Sequence, residues 1–204
     1  DGLGESAALI GAVNCVVRHG EQLIGENTDG KGFLKSLQEV CDPRGKNIVM
    51  FGAGGAARAV AVEVGLVGAK HITVVNRSEA RGRELVHTLR DRAKLSAELV
   101  VWCGDYTIPA DTDIVINATS IGLYDAEARV ELNLDSLKPN MVVADVVFSP
   151  PQTRLLRDAA ARGCRTLDGL GMLVNQGVIG VQYWTGVKPD PAAMRAALEQ
   201  AMGL

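Results

Sequence analysis

Short β-branched runs alternate with longer helical stretches along the middle of the chain. The runs are Asn47–Phe51, Ile72–Val75, Leu99–Trp102, Ile114–Asn117 and Met141–Val146, largely apolar at consecutive positions rather than at every second one. Consecutive apolar positions imply burial on both faces, so these runs predict strands of a parallel sheet covered by helices. Between the first two, Gly55–Val67 is rich in Ala and Val and reads as a helix buried against that sheet. Between the second and third, Ser78–Arg90 carries Ala80, Leu85 and Leu89 amid charges, which predicts an amphipathic helix with Ser78 as N-cap. A helix over Gln152–Arg162 and a strand at Arg165–Leu167 would complete the sheet. Right-handed crossovers then give a doubly wound α/β topology. Outside this region the pattern predicts a strand pair, Gly11–Val17 and Gln22–Gly25, and a helix from about Gly30 to Val40. A C-terminal helix over Asp190–Met202 has Pro191 in its first turn.

The strongest local signal is Asn47–Val60, NIVMFGAGGAARAV, in which a strand runs into a glycine-rich turn and a helix follows at once. Gly52, Ala53, Gly54, Gly55 and Ala56 lie in that turn. Gly52 permits the tight bend, Gly54 leaves room for a pyrophosphate, and Ala57 is small enough for close helix–sheet packing. This is the dinucleotide fingerprint in its strand–turn–helix setting, with a purely structural turn as the alternative. The next strand selects between dinucleotides. A carboxylate at its end would hold a ribose 2′-hydroxyl, but this chain has Asn76, Arg77 and Ser78 there, with Arg81 a helical turn on. Two guanidiniums and no acid favour a 2′-phosphate, hence NADP over NAD, unless Arg77 and Arg81 are merely solvated residues at a helix start.

Composition narrows the picture further. The chain has 204 residues and a net charge of −3, so no basic field points to nucleic acid. Its apolar runs are strand-length, too short for a membrane span. Cys15, Cys41, Cys103 and Cys164 are scattered without a CxxC pair, which reads as reduced cysteines in a cytoplasmic protein and offers no metal site.

Several segments go beyond a generic nucleotide-binding fold. IGAVNCVV (Ile10–Val17), GENTDGKGF (Gly25–Phe33), FGAGGAARAV, VVNRSEAR, INATSIGL (Ile116–Leu123), DVVFSPPQTRLL (Asp145–Leu156) and LDGLGMLVNQG (Leu167–Gly177) follow in that order, with YWTG (Tyr183–Gly186) behind them. Together they resemble the shikimate dehydrogenase family, which includes quinate/shikimate dehydrogenases, over essentially the whole chain. The resemblance implies a Rossmann-type domain over 29–189, a remnant of the N-terminal substrate domain over 1–28, and a C-terminal helix over 190–204. It implies NADPH-dependent reduction of 3-dehydroshikimate to shikimate in aromatic amino acid biosynthesis, with a small-molecule substrate. A homodimer stays open. Asp29 matches the family's catalytic Asp, although by sequence alone the N-cap of the following helix is the favoured reading, which the family match reverses. Asn14 and Gln176 match substrate-binding residues. Asn117, Thr119 and Ser120, together with Val146, Phe148, Gly169 and Met172, match positions around the cofactor; Met172 reads equally as core.

Two departures qualify the resemblance. The family's catalytic lysine and the serines that grip the substrate carboxylate precede the IGAVN segment, and only nine residues stand before Ile10 here. The chain therefore reads as a cofactor domain with a shortened substrate domain, expected to bind NADP but to turn over poorly by itself. Phe148 stands where the family usually has Tyr, which relaxes the expectation of strict shikimate specificity toward quinate or a related substrate. A non-catalytic NADP-binding module is a second reading, against which the retained Asn14, Asp29 and Gln176 weigh. Another reductase of this fold, such as a glutamyl-tRNA reductase, is disfavoured by the NTDG and MLVNQG segments.

Overall fold

The computed structural model describes residues 1–204. Nine strands and seven α-helices occur in the order β1 (Gly2–Leu3), α1 (Glu5–Ile10), β2 (Cys15–His19), β3 (Gln22–Glu26), α2 (Thr28–Val40), β4 (Asn47–Phe51), α3 (Gly55–Leu66), β5 (His71–Asn76), α4 (Glu79–His87), β6 (Ala97–Val101), β7 (Ile114–Asn117), β8 (Val142–Asp145), α5 (Arg154–Ala161), β9 (Arg165–Leu167), α6 (Gly169–Thr185) and α7 (Pro191–Met202). Strands β4 to β9 form one parallel sheet in the order β6-β5-β4-β7-β8-β9. The strand order reverses between β4 and β7, as a Rossmann-type sheet requires.

Both faces are buried, as the continuous apolar runs predict. Along β4, Ile48 and Met50 point into a core shared with α2, α3 and α4, while Val49 and Phe51 point into a second core shared with α5. The second face departs from expectation because α5 is the main helix on it. Largely irregular chain on either side of β7, over 102–113 and 118–141, covers the rest, contributing Trp102, Ile108, Val130, Leu132 and Leu137. Phe51 meets Trp102 edge-on at 5.4 Å and Tyr106 at 5.9 Å. The segment WCGDYTIPADTD, with Gly104 and Pro109, has no helical period to offer, so aromatic area substitutes for a crossover helix.

The N-terminal residues build a separate three-stranded sheet in the order β1-β3-β2, with β1 parallel to β3. This sheet departs from the expected strand pair. Gly11–Asn14 is not strand: the short helix α1 ends at Gly11, which caps it at φ +72°, and β2 begins only at Cys15. Six residues carry too little periodic pattern to announce a helix of that length. Helix α4 also ends earlier than Arg90 and passes into a π-helical turn over Thr88–Arg92. Ser78 caps α4 as expected, accepting from the Arg81 N–H.

Helix α6 crosses α2 at backbone contact. A Cβ on Gly32 would stand 2.6 Å from the Gln176 nitrogen and 2.8 Å from the Met172 carbonyl. That approach sets Asp29 on α2 against Gln176 on α6. Gly32→Ala must push the two helices apart, and we expect a loss of about 1–3 kcal/mol in a denaturant titration. A stability unchanged by this substitution would show that the crossing has slack.

Candidate functional site

The carboxyl ends of β4, β5, β7 and β8 open onto a cavity of about 470 Å³, within the range of small-molecule sites. Gly52 makes the turn out of β4 at φ +108°, and a Cβ there would lie 2.7 Å from the Ala118 carbonyl. Any side chain is therefore excluded twice over, by conformation and by space. At Gly54 and Gly55 the situation is the reverse, because a Cβ at either would meet no protein atom within 4 Å. Their bareness leaves open room at the mouth of α3. Gly54 is the N-cap of α3 and supplies no side-chain cap, so the first N–H groups of that helix stay free and face the cavity. Uncapped N–H groups beside empty space fit an anionic pyrophosphate.

Twelve of the residues singled out from the sequence line this cavity: Gly52, Ala53, Gly54, Gly55, Ala56, Asn76, Arg77, Arg81, Thr119, Ser120, Val146 and Phe148. Arg77 and Arg81 are exposed at its rim. The carboxylates of α4 do not neutralise them, since Glu79 pairs with Arg83 and Glu84 with Arg58. The Arg77 guanidinium lies 6.0 Å from the Trp102 ring centroid. Trp102 is a cavity wall that the sequence reading used only as the end of a strand.

Two expected residues are placed otherwise. Ser78 is not on the cavity wall; its hydroxyl is committed to capping α4, and its carbonyl accepts from the Asn76 carboxamide at 2.7 Å. Asn117 is buried, and its carboxamide is committed to neighbours inside the protein. The polar end of a strand looks the same in sequence whether it meets a ligand or the next loop.

A smaller cavity of about 190 Å³ adjoins the first and shares Ala56, Val146 and Phe148 with it. Asp29, Gly169, Met172, Leu173 and Gln176 complete it. Asp29 is not a helix cap. That role falls to Asn27, whose side chain accepts from the Gly30 N–H, leaving the Asp29 carboxyl free to face the cavity. Burial raises its pKa above the ordinary aspartate value, with the nearby Asn14 carboxamide pulling the other way. Gly169 is glycine because a Cβ would run into the Val147 carbonyl. Asn14 lies outside the walls of both cavities but is tied through Thr28 to Gln176 in the smaller one. Its Oδ1 accepts from the Thr28 N–H at 2.8 Å, and the Thr28 hydroxyl lies 3.1 Å from Asn14 Nδ2 and 3.4 Å from Gln176 Oε1. Thr28, buried at 1% exposure, is the link between the two flanking amides. The GENTDG segment contains it, but nothing in its residue type separates it from a helix-start threonine.

The comparisons with known proteins bear on this geometry. A model of the shikimate / quinate 5-dehydrogenase family matches residues 35–147, and one of the shikimate 5′-dehydrogenase C-terminal domain matches 169–199. The shikimate dehydrogenase (NADP(+)) of Moorella thermoacetica is 41% identical, over 100% of this chain and 70% of that protein. The chain belongs to this family. Two solved structures extend the likeness to three dimensions. Shikimate 5-dehydrogenase from Thermus thermophilus, in complex with NADP(H) and shikimate, is 34% identical with a TM-score of 0.82, covering 98% of this chain and 72% of that one. The ligand-free 5-ketofructose reductase of Gluconobacter sp. strain CHM43 is 54% identical with a TM-score of 0.96, covering 98% and 73%.

A buried acid supports the site from behind. Asp145, 1% exposed at the end of β8, accepts from Asn117 Nδ2 at 3.0 Å, the Val147 N–H at 3.0 Å and the Thr153 hydroxyl at 2.8 Å. Burial pushes its pKa from 3.8 up to about 6, against these three neutral donors, and no charged group contributes. Between those two values the native state holds a proton that the unfolded chain has released. This group's contribution to stability therefore falls as pH rises from 3.8 to about 6. Relative to Asp145→Asn, which cannot titrate there, the wild type should lose up to about 3 kcal/mol across that interval in urea titrations at a series of pH values. A stability difference that stays flat with pH would place the pKa elsewhere.

Proposed function

We propose that this chain is the cofactor-bearing part of an NADP(H)-dependent dehydrogenase that interconverts a ring or sugar ketone and its secondary alcohol, with 3-dehydroshikimate and shikimate as the first pair to test. The observation that carries the reading is the uncapped start of α3, bordered by open space at Gly54 and Gly55, with Arg77 and Arg81 at the rim of the same cavity. The free N–H groups would take the pyrophosphate, and the two guanidiniums would clamp a 2′-phosphate. Gly52, Ala53, Ala56, Thr119, Ser120, Val146, Phe148, Gly169 and Met172 would hold the rest of the cofactor. When bound, NADPH supplies the hydride.

The protein's own part in the reaction falls to the smaller cavity. Asp29 would move the proton that accompanies hydride transfer, giving it to the forming alkoxide and taking it back in the reverse direction. A carboxyl whose pKa is raised by burial suits that exchange better than one held fully ionised. Gln176 and Asn14, aligned through Thr28, would hold substrate hydroxyls. Val146 and Phe148, shared between the cavities, exclude water where the two ligands meet. We read the protein as cytoplasmic; no helix is long and apolar enough to cross a membrane.

A second substrate reading has its own observation. The 5-ketofructose reductase is 54% identical to this chain, against 41% for the Moorella shikimate dehydrogenase and 34% for the Thermus one. Phe148, which lines both cavities, stands where the resemblance leads one to expect Tyr, so this wall carries one hydroxyl fewer. The identity favours an open-chain or cyclic keto-sugar, and the missing hydroxyl at Phe148 relaxes discrimination against one.

Calorimetric titration tests the cofactor reading: NADPH should bind and NADH should bind much more weakly. Replacing Arg77 and Arg81 together with Ala should weaken NADPH by about tenfold or more while changing NADH little. An equal loss for both nucleotides would refute the 2′-phosphate clamp. The substrate is decided by the rate of NADPH consumption with 3-dehydroshikimate and with 5-ketofructose, a higher kcat/KM for one naming it. In the same assay Asp29→Asn should lower kcat by about 10²-fold or more and leave NADPH affinity intact; retained turnover would remove Asp29 from the mechanism.

A further inference from the structure

Asp145 closes β8 in register with Asn117, which closes the neighbouring strand β7. Each of the three groups it grips belongs to a different piece of the chain; two of these pieces line the cavity, and the third starts helix α5 behind it. Asn117 carries the first piece: its Nδ2 also donates to the Ile121 carbonyl, and its Oδ1 accepts from the Thr119 N–H and hydroxyl, so the loop 118–121 takes its position from this one side chain. The Thr119 hydroxyl in turn accepts from the Ile121 N–H. Val147 is the second piece. It lies between Val146 and Phe148, which line both cavities, and its carbonyl packs against Gly169 at the start of α6. Thr153 is the third, since its hydroxyl donates to Asp145 and accepts from the Leu156 N–H as the N-cap of α5.

All four hydrogen-bonding positions of the Asn117 carboxamide are thereby filled, and each oxygen of Asp145 has a donor. A network with every member satisfied holds a single geometry, because any shift leaves a buried polar group unpaired. We propose that Asp145 is a positioning residue: by gripping Asn117, Val147 and Thr153 at once, it fixes the loops 118–121 and 146–148 relative to each other and so sets the shape of the cavity where the two ligand sites join. Asp145 itself lines neither cavity, so it acts only through the residues it holds. The effect on cofactor binding rests on the reading that this cavity takes NADP(H); the coupling of the two loops does not.

The test is amide hydrogen exchange on the free protein, followed by NADPH titration. Asp145→Asn puts an amide N–H₂ where the neighbours offer donors. It should speed exchange in 118–121 and 146–148 together and weaken NADPH by about tenfold, the factor that corresponds to losing a hydrogen bond to a charged group. Thr153→Val, which leaves the carboxylate in place, should act in the same direction, and Thr153→Ser should restore both readouts. Val143→Ala removes buried volume from the same strand without touching the network, and it should lower the melting temperature while leaving exchange in the loops and NADPH affinity as they are. Loosening of only one loop in Asp145→Asn, or the same loosening in Val143→Ala, would overturn the proposal. A wild type that fails to take NADPH would sink the cofactor reading, while the exchange data would still decide the coupling.

Discussion

Because β4 pairs with β5 on one side and β7 on the other, the connections that leave the two halves of the sheet turn away from each other. The carboxyl ends of the strands between them are left uncovered, and the larger cavity is lined by the strand ends, loops and first helical turns that meet at that gap. The turn out of β4 has to cross the gap without filling it. Gly52 does so at a positive φ, pressed against the Ala118 carbonyl at the end of β7, and the chain enters α3 with its first N–H groups unspent. The binding surface is in this sense a by-product of parallel pairing: a sheet that runs one way must turn at its ends, and where the turns diverge the backbone polar groups need a partner from outside.

A second set of close approaches places the smaller cavity. Gly32 lets α2 touch the backbone of α6, Gly30 does the same for α2 and α3, and Gly169 brings the start of α6 onto the 146–147 backbone. Side chains at these points would hold the helices apart, and Asp29, Gln176 and Phe148 would no longer share one wall. A charge at the same end of α6 anchors the arrangement: Asp168 caps the helix by accepting from the Leu170 and Gly171 N–H groups, and Arg195 of α7 holds its other oxygen at 2.9 Å. Helix α7 thus contributes to the site through the helix it steadies.

The sequence was most legible where a segment's pattern and its environment coincide. The central strands and the glycine turn stand where the apolar runs put them, β4, β7 and β9 to the residue, because a strand buried on both faces has one way to satisfy its side chains and its backbone. The short helix α1, the late start of β2 and the irregular cover over Phe51 were not legible, because each is set by what it packs against rather than by its own period. Among site residues, the distinction between contact and support was invisible. Asn117 and Thr119 sit two residues apart in one motif, yet Thr119 lines the cavity and Asn117 lies wholly behind it. Asp29 was equally ambiguous until Asn27 took the cap.

The two aspartates show why a raised pKa by itself does not mark the chemical group. Burial lifts both Asp29 and Asp145, and Asp145 is carried the further, to about 6. Yet Asp145 is closed: donors from its own protein occupy both of its oxygens, and it lines no cavity. A proton taken up there breaks an internal bond and reaches no ligand. Asp29 has given its capping duty to Asn27 and faces the cavity that Gln176 shares. What separates a group that works on a ligand from one that shapes the room around it is therefore the count of its hydrogen-bond partners, since unspent bonding capacity at a cavity wall is what a substrate can use.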